Sequence, residues 1–395
     1  MARTRRAKVA ATLAALMIAT AGCAEEDSSD GGGSSTGPIK IGAVLDITGA
    51  GASLGVPERK TLEMLTKELN ESGGINGRKI ELIVEDNQST EDGAAKAMNE
   101  MVSKKVDIVL GASRTGPSLA MRQIAESSKT PMISLAANAK IVEGAHWVFK
   151  TAQNDAVVLE NIVDYAKSQG WKTIGLLRDS SGYGEGVAET LAELGKPHGI
   201  SVARIEKFAP DATDFTAQMI NIRNAKADVN LIWGIPPAAA LAQKAYRQLG
   251  ITTPVLQSHG IGNQVFLDTA GSTGDGLVAP LGRLLVADQL PDSDPQKTVL
   301  TKFLADYQKA YNENPSTFAG HAYDAFQLAV DAFKTVGTDK QRVRDHLEQL
   351  KGFVGVTGVY NMTPEDHSGL TKEALVLVTV SAGTWQLVGA EQSTR

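Results

Sequence analysis

A strand followed by a helix, repeated along most of the chain, constrains the fold more than any other feature of this sequence. The clearest unit spans residues 106–138: a buried strand, a small polar turn, a helix through Glu126, a second strand at 131–135 and a second polar turn. Alternation of this kind predicts an α/β fold, with parallel sheets covered by helices on both faces. An open parallel sheet binds ligands at the carboxyl ends of its strands, and both polar turns lie there.

The first of these turns carries the groups of an anion site. Ser113, Arg114, Thr115 and Gly116 precede Pro117, which fits the first helical position because its missing N–H is not needed there. Thr115 or Gly116 is expected to cap the helix. Hydroxyls, a guanidinium and free amides at a helix N-terminus favour a carboxylate. Similar turns occur in α/β proteins that bind nothing at them, so the turn alone leaves both interpretations open.

The amino terminus predicts export. Four cations within the first eight residues precede an apolar run at 9–21 that is too short to span a membrane, and Cys23 follows a small Ala-Gly pair. Residues 1–22 are therefore a predicted signal peptide. The arrangement resembles a bacterial lipoprotein signal, in which the cysteine is acylated and becomes the new amino terminus. Thr20 departs from that pattern, which usually has Leu, and an ordinary signal with a chance cysteine is the alternative.

The segment after the signal is predicted to be a flexible spacer. Residues 23–37 are acidic and then rich in Ser and Gly, which predicts a flexible tether with a reach of roughly 20 Å. Cys23 is the only cysteine, so it has no intramolecular disulfide partner. Removing the four cations of the signal lowers the formal net charge from −6 to −10. An acidic body without a basic stripe argues against nucleic-acid binding.

The rest of the chain predicts two lobes of the same architecture. With 395 residues, 42% of them hydrophobic, the chain is long enough for two cores. The pattern places the first lobe at 38–153, the second lobe at 154–281, long helices that return to the first lobe at 282–365, and second-lobe strands with the tail at 366–395. The cleft between the lobes is the expected site.

The sequence contains no pattern of catalytic residues that we recognise within this predicted two-lobe architecture. The glycines of residues 49–55, with Glu85 and Asp86 ending the next strand, imitate a dinucleotide fingerprint, but nicotinamide cofactors are not supplied outside the cell. The six histidines are scattered without metal-ligand spacing, and no nucleophile elbow is present. We expect no cofactor, no metal and no enzymatic activity, with a secreted α/β enzyme as the alternative class.

Five stretches resemble the branched-chain amino-acid binding proteins of ABC importers, and together they span nearly the whole mature chain. They are 39–45, 68–78, 183–186, 214–215 and 355–358. The resemblance implies the type I periplasmic-binding fold, in which two doubly wound parallel-sheet lobes joined by a three-crossing hinge close on a ligand. It also implies delivery of a small molecule to a membrane permease by a receptor that is exported, either lipid-anchored to the outer face of the cytoplasmic membrane or periplasmic. We expect a monomer. A sensory receptor of the same fold feeding a membrane kinase is a further alternative.

The resemblance also assigns ligand contacts. Tyr183 matches a pocket tyrosine of the second lobe. The ligand carboxylate would meet groups of the two polar turns, namely Ser113, Arg114, Thr115, Gly116, Ala136 and Asn138.

Departures from the family pattern point to a different ligand. His259 stands where amino-acid binders carry the acidic partner of the α-ammonium, Leu54 and Ile235 replace pocket tyrosines, and Asn138 replaces a threonine. A desolvated ammonium needs an anionic partner, which this cleft is expected to lack. Trp233, at a strand end, is either core or cleft wall.

Three further stretches, 231–237, 285–291 and 317–324, are similar to members associated with aromatic carboxylates. We therefore predict a hydrophobic or aromatic carboxylate as ligand, with a branched-chain amino acid as the alternative.

Overall fold

The structure is a computed structural model that describes residues 37–389. The predicted signal peptide, Cys23 and all but the last residue of the predicted tether lie outside the described residues. Within the described part, no helix combines the length and the apolar character needed to cross a membrane.

The first lobe is built on a sheet of five parallel strands in the order β2-β1-β3-β4-β5. The strands are β1 (Ile39–Leu45), β2 (Ile80–Asp86), β3 (Ile108–Gly111), β4 (Met132–Ser134) and β5 (Val148–Lys150). The helices between them are α1 (Ala52–Glu71), α2 (Glu91–Ser103) and α3 (Thr115–Ser128). The strand-helix alternation read from the sequence is thus present, and it brings the turns after β3 and β4 to one edge of the sheet.

The second lobe is built on a seven-stranded sheet in the order β14-β13-β10-β9-β8-β6-β7. Its parallel strands are β6 (Thr173–Asp179), β7 (Ser201–Phe208), β8 (Val229–Trp233), β9 (Val255–Gln257) and β10 (Val278–Gly282). The helices are α4 (Asp155–Ser168), α5 (Val187–Gly195), α6 (Thr216–Asn224), α7 (Ala238–Gln248) and α8 (Gln264–Ala270).

The chain then returns to the first lobe through long helices. These are α9 (Lys297–Tyr311), α10 (Thr317–Val336) and α11 (Lys340–Glu348), followed by the small hairpin of β11 (Phe353–Val354) and β12 (Val359–Tyr360). Phe303 and Phe326 of these helices share a buried core with Ile41 and Leu110 of the first sheet. The chain therefore crosses between the lobes three times: after β5, after β10 and after β12.

The carboxyl-terminal strands add two antiparallel pairings to the parallel sheet that the sequence predicted for the second lobe. β13 (Leu375–Ser381) pairs antiparallel with β10, and β14 (Thr384–Leu387) pairs antiparallel with β13. Ala382 and Gly383 connect these two strands, with φ of 48° and 73°. Two successive residues with positive φ form the tight turn that joins antiparallel strands, so no crossover helix is required.

Helix α3 also begins earlier than predicted. Thr115 is its first residue and Pro117 its third, and the N-cap position falls on Arg114, whose side chain makes no capping hydrogen bond. The prediction that Thr115 or Gly116 caps the helix is therefore wrong. Proline fits this position because the first amides of a helix have no intrahelical acceptor in any case.

Candidate functional site

A pocket lined by both lobes lies in the cleft between them, and its empty space, part of which is open to solvent, is about 460 Å³. Its walls come from the turns after β3 and β4, the start of α1, the crossing after β5, the turns that follow the strands of the second lobe, and α10. The lining residues are Leu54, Ser113, Arg114, Thr115, Leu135, Ala136, Ala137, Ala152, Asp179, Ser181, Tyr183, Pro210, Ile235, His259, Gly260, Phe318 and His321.

The structure brings eight of the predicted site residues together in this lining. They are Leu54, Ser113, Arg114, Thr115, Ala136, Tyr183, Ile235 and His259. All but Leu54 and Thr115, the first residue of α3, lie in turns that follow strands. The strands of each sheet are parallel at this edge, so their turns meet at the same cleft.

Three predicted residues lie outside the lining. Gly116 is in the first turn of α3. Asn138 caps a short 3-10 turn and donates from Nδ2 to the Gly182 carbonyl of the other lobe at 3.1 Å. Trp233 is fully buried, and its Nε1 donates to the Tyr183 carbonyl at 3.2 Å. Trp233 is therefore core that supports the pocket tyrosine.

Sequence reasoning missed the other nine lining residues. Phe318 and His321 lie within the stretch 317–324 noted for its similarity to aromatic-carboxylate binders, and their spacing of three places them on one helical face. Asp179 is the last residue of β6, and Ser181 lies in the turn that follows. Because ligands bind at the carboxyl ends of parallel strands, the sequence could have indicated both residues. The remaining missed residues are Leu135, Ala137, Ala152, Pro210 and Gly260.

Arg114 is not a free cation. Its Nε lies 2.6 Å from Oδ2 of Asp46, and a second guanidinium nitrogen donates to the Ser89 carbonyl. Asp46 is fully buried and also accepts from Asn87 Nδ2 at 2.7 Å. A ligand carboxylate therefore meets a guanidinium whose charge is already paired, which corrects the picture drawn from the sequence.

The hydroxyl of Ser113 is also engaged. It accepts from the Asp46 amide at 3.1 Å and donates to Oε2 of Glu58. Burial raises the pKa of the Glu58 carboxyl well above its usual range, and the hydrogen bond from Ser113 opposes this shift. Among the described groups of these two turns, the Thr115 hydroxyl and the first amides of α3 remain as hydrogen-bond donors for an anion. They lie at the positive end of the helix dipole.

In the second lobe, three aromatic rings form a compact group. The Tyr183 hydroxyl lies 3.2 Å from Nδ1 of His259, and the Trp233 ring is 5.3 Å from that of Tyr183. Burial lowers the pKa of His259 to about 3 and raises the pKa of Tyr183 well above its usual range. Both side chains are therefore uncharged at neutral pH.

His321 is the second imidazole of the cavity wall. Burial lowers its pKa to about 3, and the nearby Leu135 carbonyl opposes this only in part. Its Nδ1 is buried and makes no hydrogen bond to any described residue. The Phe318 ring packs edge-on against the imidazole at 5.8 Å.

Asp179 gives the cavity an acidic group that the sequence analysis did not expect. Its Oδ1 accepts from the Ser181 amide at 3.0 Å, the Ser181 hydroxyl at 2.7 Å and the Gly184 amide at 3.1 Å. Burial raises the pKa of Asp179, while these hydrogen bonds and the nearby Arg114 act in the opposite direction.

Among the described residues, no group of three or more His, Cys, Asp or Glu side chains is placed to hold a metal ion.

The comparison with protein families decides which family the chain belongs to. A family model described as a periplasmic binding protein matches residues 38–384. This chain belongs to the periplasmic binding protein family.

Relatives and solved structures agree with the family assignment. The Leucine-, isoleucine-, valine-, threonine-, and alanine-binding protein of Pseudomonas aeruginosa is 27% identical over 317 residues, which cover 78% of this chain and 82% of that protein. An extracellular ligand-binding receptor from Rhodopseudomonas palustris HaA2 has a TM-score of 0.83 at 29% identity, covering 89% of this chain and 99% of that one. The branched-chain amino acid transporter substrate binding protein LivJ from Streptococcus pneumoniae, solved with isoleucine, has a TM-score of 0.78 at 26% identity, covering 88% and 98%. The resemblance and the type I periplasmic-binding fold are thus confirmed.

In this periplasmic binding protein, the first interlobe crossing is tied to the cavity wall by a buried cation. The Lys150 ammonium donates to the Ala137 carbonyl and to Asn154 Oδ1, the latter at 2.6 Å. Burial lowers the pKa of Lys150 and raises that of Asp155, and the attraction between the two groups opposes both shifts. The cavity residues Ala137 and Ala152 therefore lie on backbone that this lysine helps to fix.

The two lobes of the binding protein also meet directly. Besides the Asn138 contact, Ser53 Oγ donates to the Pro236 carbonyl at 3.1 Å, and Asn263 Nδ2 lies 3.5 Å from the Ser53 carbonyl. The Ser53 carbonyl is available because Pro57, four residues further along α1, has no N–H to bond to it. These hydrogen bonds join the two lobes across the cleft.

Proposed function

We propose that this chain is the extracytoplasmic solute receptor of an ABC importer, and that it binds a small hydrophobic carboxylate between its lobes and delivers it to a permease. The observation that carries the proposal is the composition of the cavity wall, which is mostly apolar and includes two uncharged imidazoles and a helix N-terminus. Its two charged side chains, Arg114 and Asp179, already have partners within the protein. Binding between two lobes couples occupancy to closure, because contacts to both lobes exist only when the cleft is shut.

The carboxylate is assigned to the start of α3. The amides of Thr115 and Gly116 precede the first intrahelical hydrogen bonds, and the Thr115 hydroxyl lines the cavity. Hydrogen bonds from such donors to an ionised acceptor contribute roughly 1.5–3 kcal/mol each. Arg114 adds to the favourable potential even though Asp46 balances its charge.

The body of the ligand is assigned to the apolar part of the wall. Leu54, Leu135, Ile235 and Phe318 line this part, and Tyr183 presents its ring to the same space. Surfaces of this kind suit a flat or branched hydrophobic group, with a few polar groups setting its orientation.

The electrostatics favour an acid without an ammonium group. His259 takes the place at which amino-acid binders are expected to carry a carboxylate, and burial keeps this histidine neutral. Asp179, the acidic group in the wall, already accepts three hydrogen bonds and faces the field of Arg114. An α-ammonium in this cavity would lose its hydration and gain little charge compensation.

A branched-chain amino acid is the second candidate, and Asp179 is the observation that favours it. The Pseudomonas aeruginosa relative is named for leucine, isoleucine and valine among its ligands, and the Streptococcus pneumoniae structure contains isoleucine. In this alternative the α-ammonium lies against the Asp179 carboxylate.

Calorimetric titration of the purified protein with benzoate, phenylacetate, leucine, isoleucine and valine distinguishes the candidates. We expect binding of an aromatic acid and no measurable binding of the three amino acids. Micromolar leucine binding without binding of either aromatic acid would contradict the proposal. The Asp179→Asn variant sharpens the test, because it should weaken any amino-acid binding at least tenfold and should not weaken the binding of a simple acid.

We further propose that the mature receptor is anchored by acylation of Cys23 and works as a monomer at the outer face of the cytoplasmic membrane or in the periplasm. The lipoprotein-like end of the signal supports the anchor, and the tether leaves the lobes free to close near the membrane.

A further inference from the structure

The inference rests on the proposed function and concerns a buried cation behind the wall of the ligand cavity. Lys150 ends β5 and is the only lysine or arginine among residues 37–389 that is fully buried. Its ammonium donates to the Ala137 carbonyl, in the turn after β4, and to Oδ1 of Asn154, in the crossing after β5. Ala137 and Ala152, from these same two segments, line the cavity. The ammonium therefore joins two parts of the wall without being one of the lining groups.

The charge of Lys150 is less closely compensated than that of Arg114. Arg114 forms a direct ion pair with Asp46. No carboxylate of the described residues lies within ion-pair distance of the Lys150 ammonium, and Asp155 and Asp366 attract it only through space. A buried cation of this kind attracts an anion brought near it, because the low dielectric of the interior strengthens the interaction.

The field of the ammonium reaches the ligand space. Burial is the main cause of the low pKa values of His259 and His321, and the positive charge of Lys150 adds to both shifts. Both histidines line the cavity. The turn that Lys150 holds also adjoins the start of α3, where the ligand carboxylate is assigned, because β3 and β4 are neighbouring strands and the Leu135 amide donates to the Ala112 carbonyl at 3.2 Å.

We propose that Lys150 is a positioning residue that acts through the cavity wall and selects an ionised ligand over a neutral one of the same shape. Its charge offsets the repulsion that Asp179, the carboxylate of the wall, exerts on a ligand carboxylate. Its hydrogen bond to the Ala137 carbonyl polarises that peptide and fixes the turn beside the ligand.

The test compares each acid with its neutral amide. Benzoate and benzamide, and phenylacetate and phenylacetamide, are titrated calorimetrically into the wild-type protein and into Lys150→Met, whose side chain keeps a similar unbranched length without the charge. The variant should weaken the better-binding acid at least tenfold and the matching amide less than threefold. Equal weakening of acid and amide would overturn the proposal, because a damaged wall affects both ligands alike.

A second variant covers the case in which Lys150→Met does not fold. Lys150→Met leaves the buried Asp155 without the cation that attracts it, whereas Lys150→Met/Asp155→Asn removes both charges. The double variant should fold and should still lose at least threefold of the acid-over-amide preference. A folded double variant with the full wild-type preference would overturn the proposal.

Asn154→Ala is the matched control. It removes the other hydrogen bond of the ammonium and leaves the charge in place, so the acid-over-amide preference should change less than twofold. A loss of preference as large as that in Lys150→Met would assign the effect to the structure of the crossing and overturn the role of the charge. Binding of leucine with no binding of either acid would instead overturn the proposed function itself.

Discussion

Arg114 and Asp46 form an ion pair in which Nε lies 2.6 Å from Oδ2, at the point where α3 opens onto the ligand cavity. Asp46 directly follows β1 and is fully buried, so its carboxylate depends on Arg114 and Asn87 for compensation. The pair therefore sets the electrostatic potential that a ligand carboxylate meets.

Removing Arg114 alone should affect both stability and binding. Arg114→Ala leaves the buried Asp46 carboxylate uncompensated, which should cost about 3 kcal/mol of unfolding free energy and weaken carboxylate binding about tenfold. Urea unfolding and calorimetry measure the two effects. The double variant Asp46→Asn/Arg114→Ala should recover part of both losses, since no buried charge remains unpaired. If the double variant were no more stable and bound the carboxylate no more tightly than Arg114→Ala, the unpaired Asp46 carboxylate would not be the cause of the losses.

The Asn138 contact predicts a closure phenotype. Asn138→Asp keeps the oxygen that caps the following turn but replaces the donor to the Gly182 carbonyl with a second oxygen. Loss of one hydrogen bond and a new repulsion should weaken ligand binding about three- to tenfold. Small-angle scattering should show a larger radius of gyration than for the wild-type protein at equal, subsaturating ligand. Ser53→Ala, which removes another interlobe donor without adding repulsion, is the comparison and should give a smaller change. An unchanged scattering profile in Asn138→Asp would contradict the role of this contact.

The buried histidines predict the pH dependence of stability. Their pKa values of about 3 in the folded protein lie below the ordinary value of 6.5, so in this window the unfolded chain binds more protons than the native state. Their contribution is complete above pH 6.5 and is lost progressively as the pH falls from about 6.5 towards about 3. Between pH 6.5 and pH 5 the loss should be about 1–2 kcal/mol for each histidine. Urea unfolding at both pH values should show a smaller loss for His259→Phe/His321→Phe than for the wild type, and an identical loss would contradict the assignment.

Asp324 predicts a stability effect at a position one helical turn beyond the cavity residue His321. This buried carboxylate of α10 accepts from the Val356 and Thr357 amides, each at 2.8 Å, and from the Tyr360 hydroxyl at 2.9 Å. Burial raises its pKa to about 6 against the effect of these bonds. Tyr360→Phe removes one donor and should cost about 1 kcal/mol, whereas Asp324→Ala leaves both amides unpaired and should cost about 3 kcal/mol or more. Thermal and urea denaturation measure both, and equal losses would contradict the network.

The anchor prediction concerns Cys23. Cys23→Ala should release the protein from the membrane fraction or leave its signal uncleaved, because the acylated thiol is gone. Fractionation with mass determination of the amino terminus checks this. A variant that remained membrane-bound and normally processed would show that the chain is not a lipoprotein.

The sequence predicted the elements of the fold better than their ends or their direction. Strand-helix alternation marks a parallel sheet, so β1 to β4 and β6 to β9 with the helices between them could be read in outline, whereas β5 and β10 were missed. The antiparallel β13 could not, because the apolar period of a strand is the same in either direction. The early start of α3 was missed for a local reason, since Pro117 is compatible with more than one position in a first helical turn.

The candidate site was predictable where it follows from strand ends and unpredictable where it depends on partners distant in sequence. Ser113, Ala136 and His259 could be predicted as site residues because each lies in a turn that follows a strand. The pairing of Arg114 with Asp46 was not visible, because the two are 68 residues apart and meet only when β1 and β3 lie side by side. Asp179 was overlooked for a similar reason, since its place in the cavity depends on how the second lobe faces the first.

The three interlobe hydrogen bonds described above each have a main-chain carbonyl as acceptor: Gly182, Pro236 or Ser53. Main-chain acceptors persist whatever side chain a position carries, whereas the donors, Asn138, Ser53 and Asn263, are side chains that do not all line the cavity. A substitution at a lining position such as Ile235 can therefore change the shape of the cavity while the hydrogen bonds that join the lobes are kept.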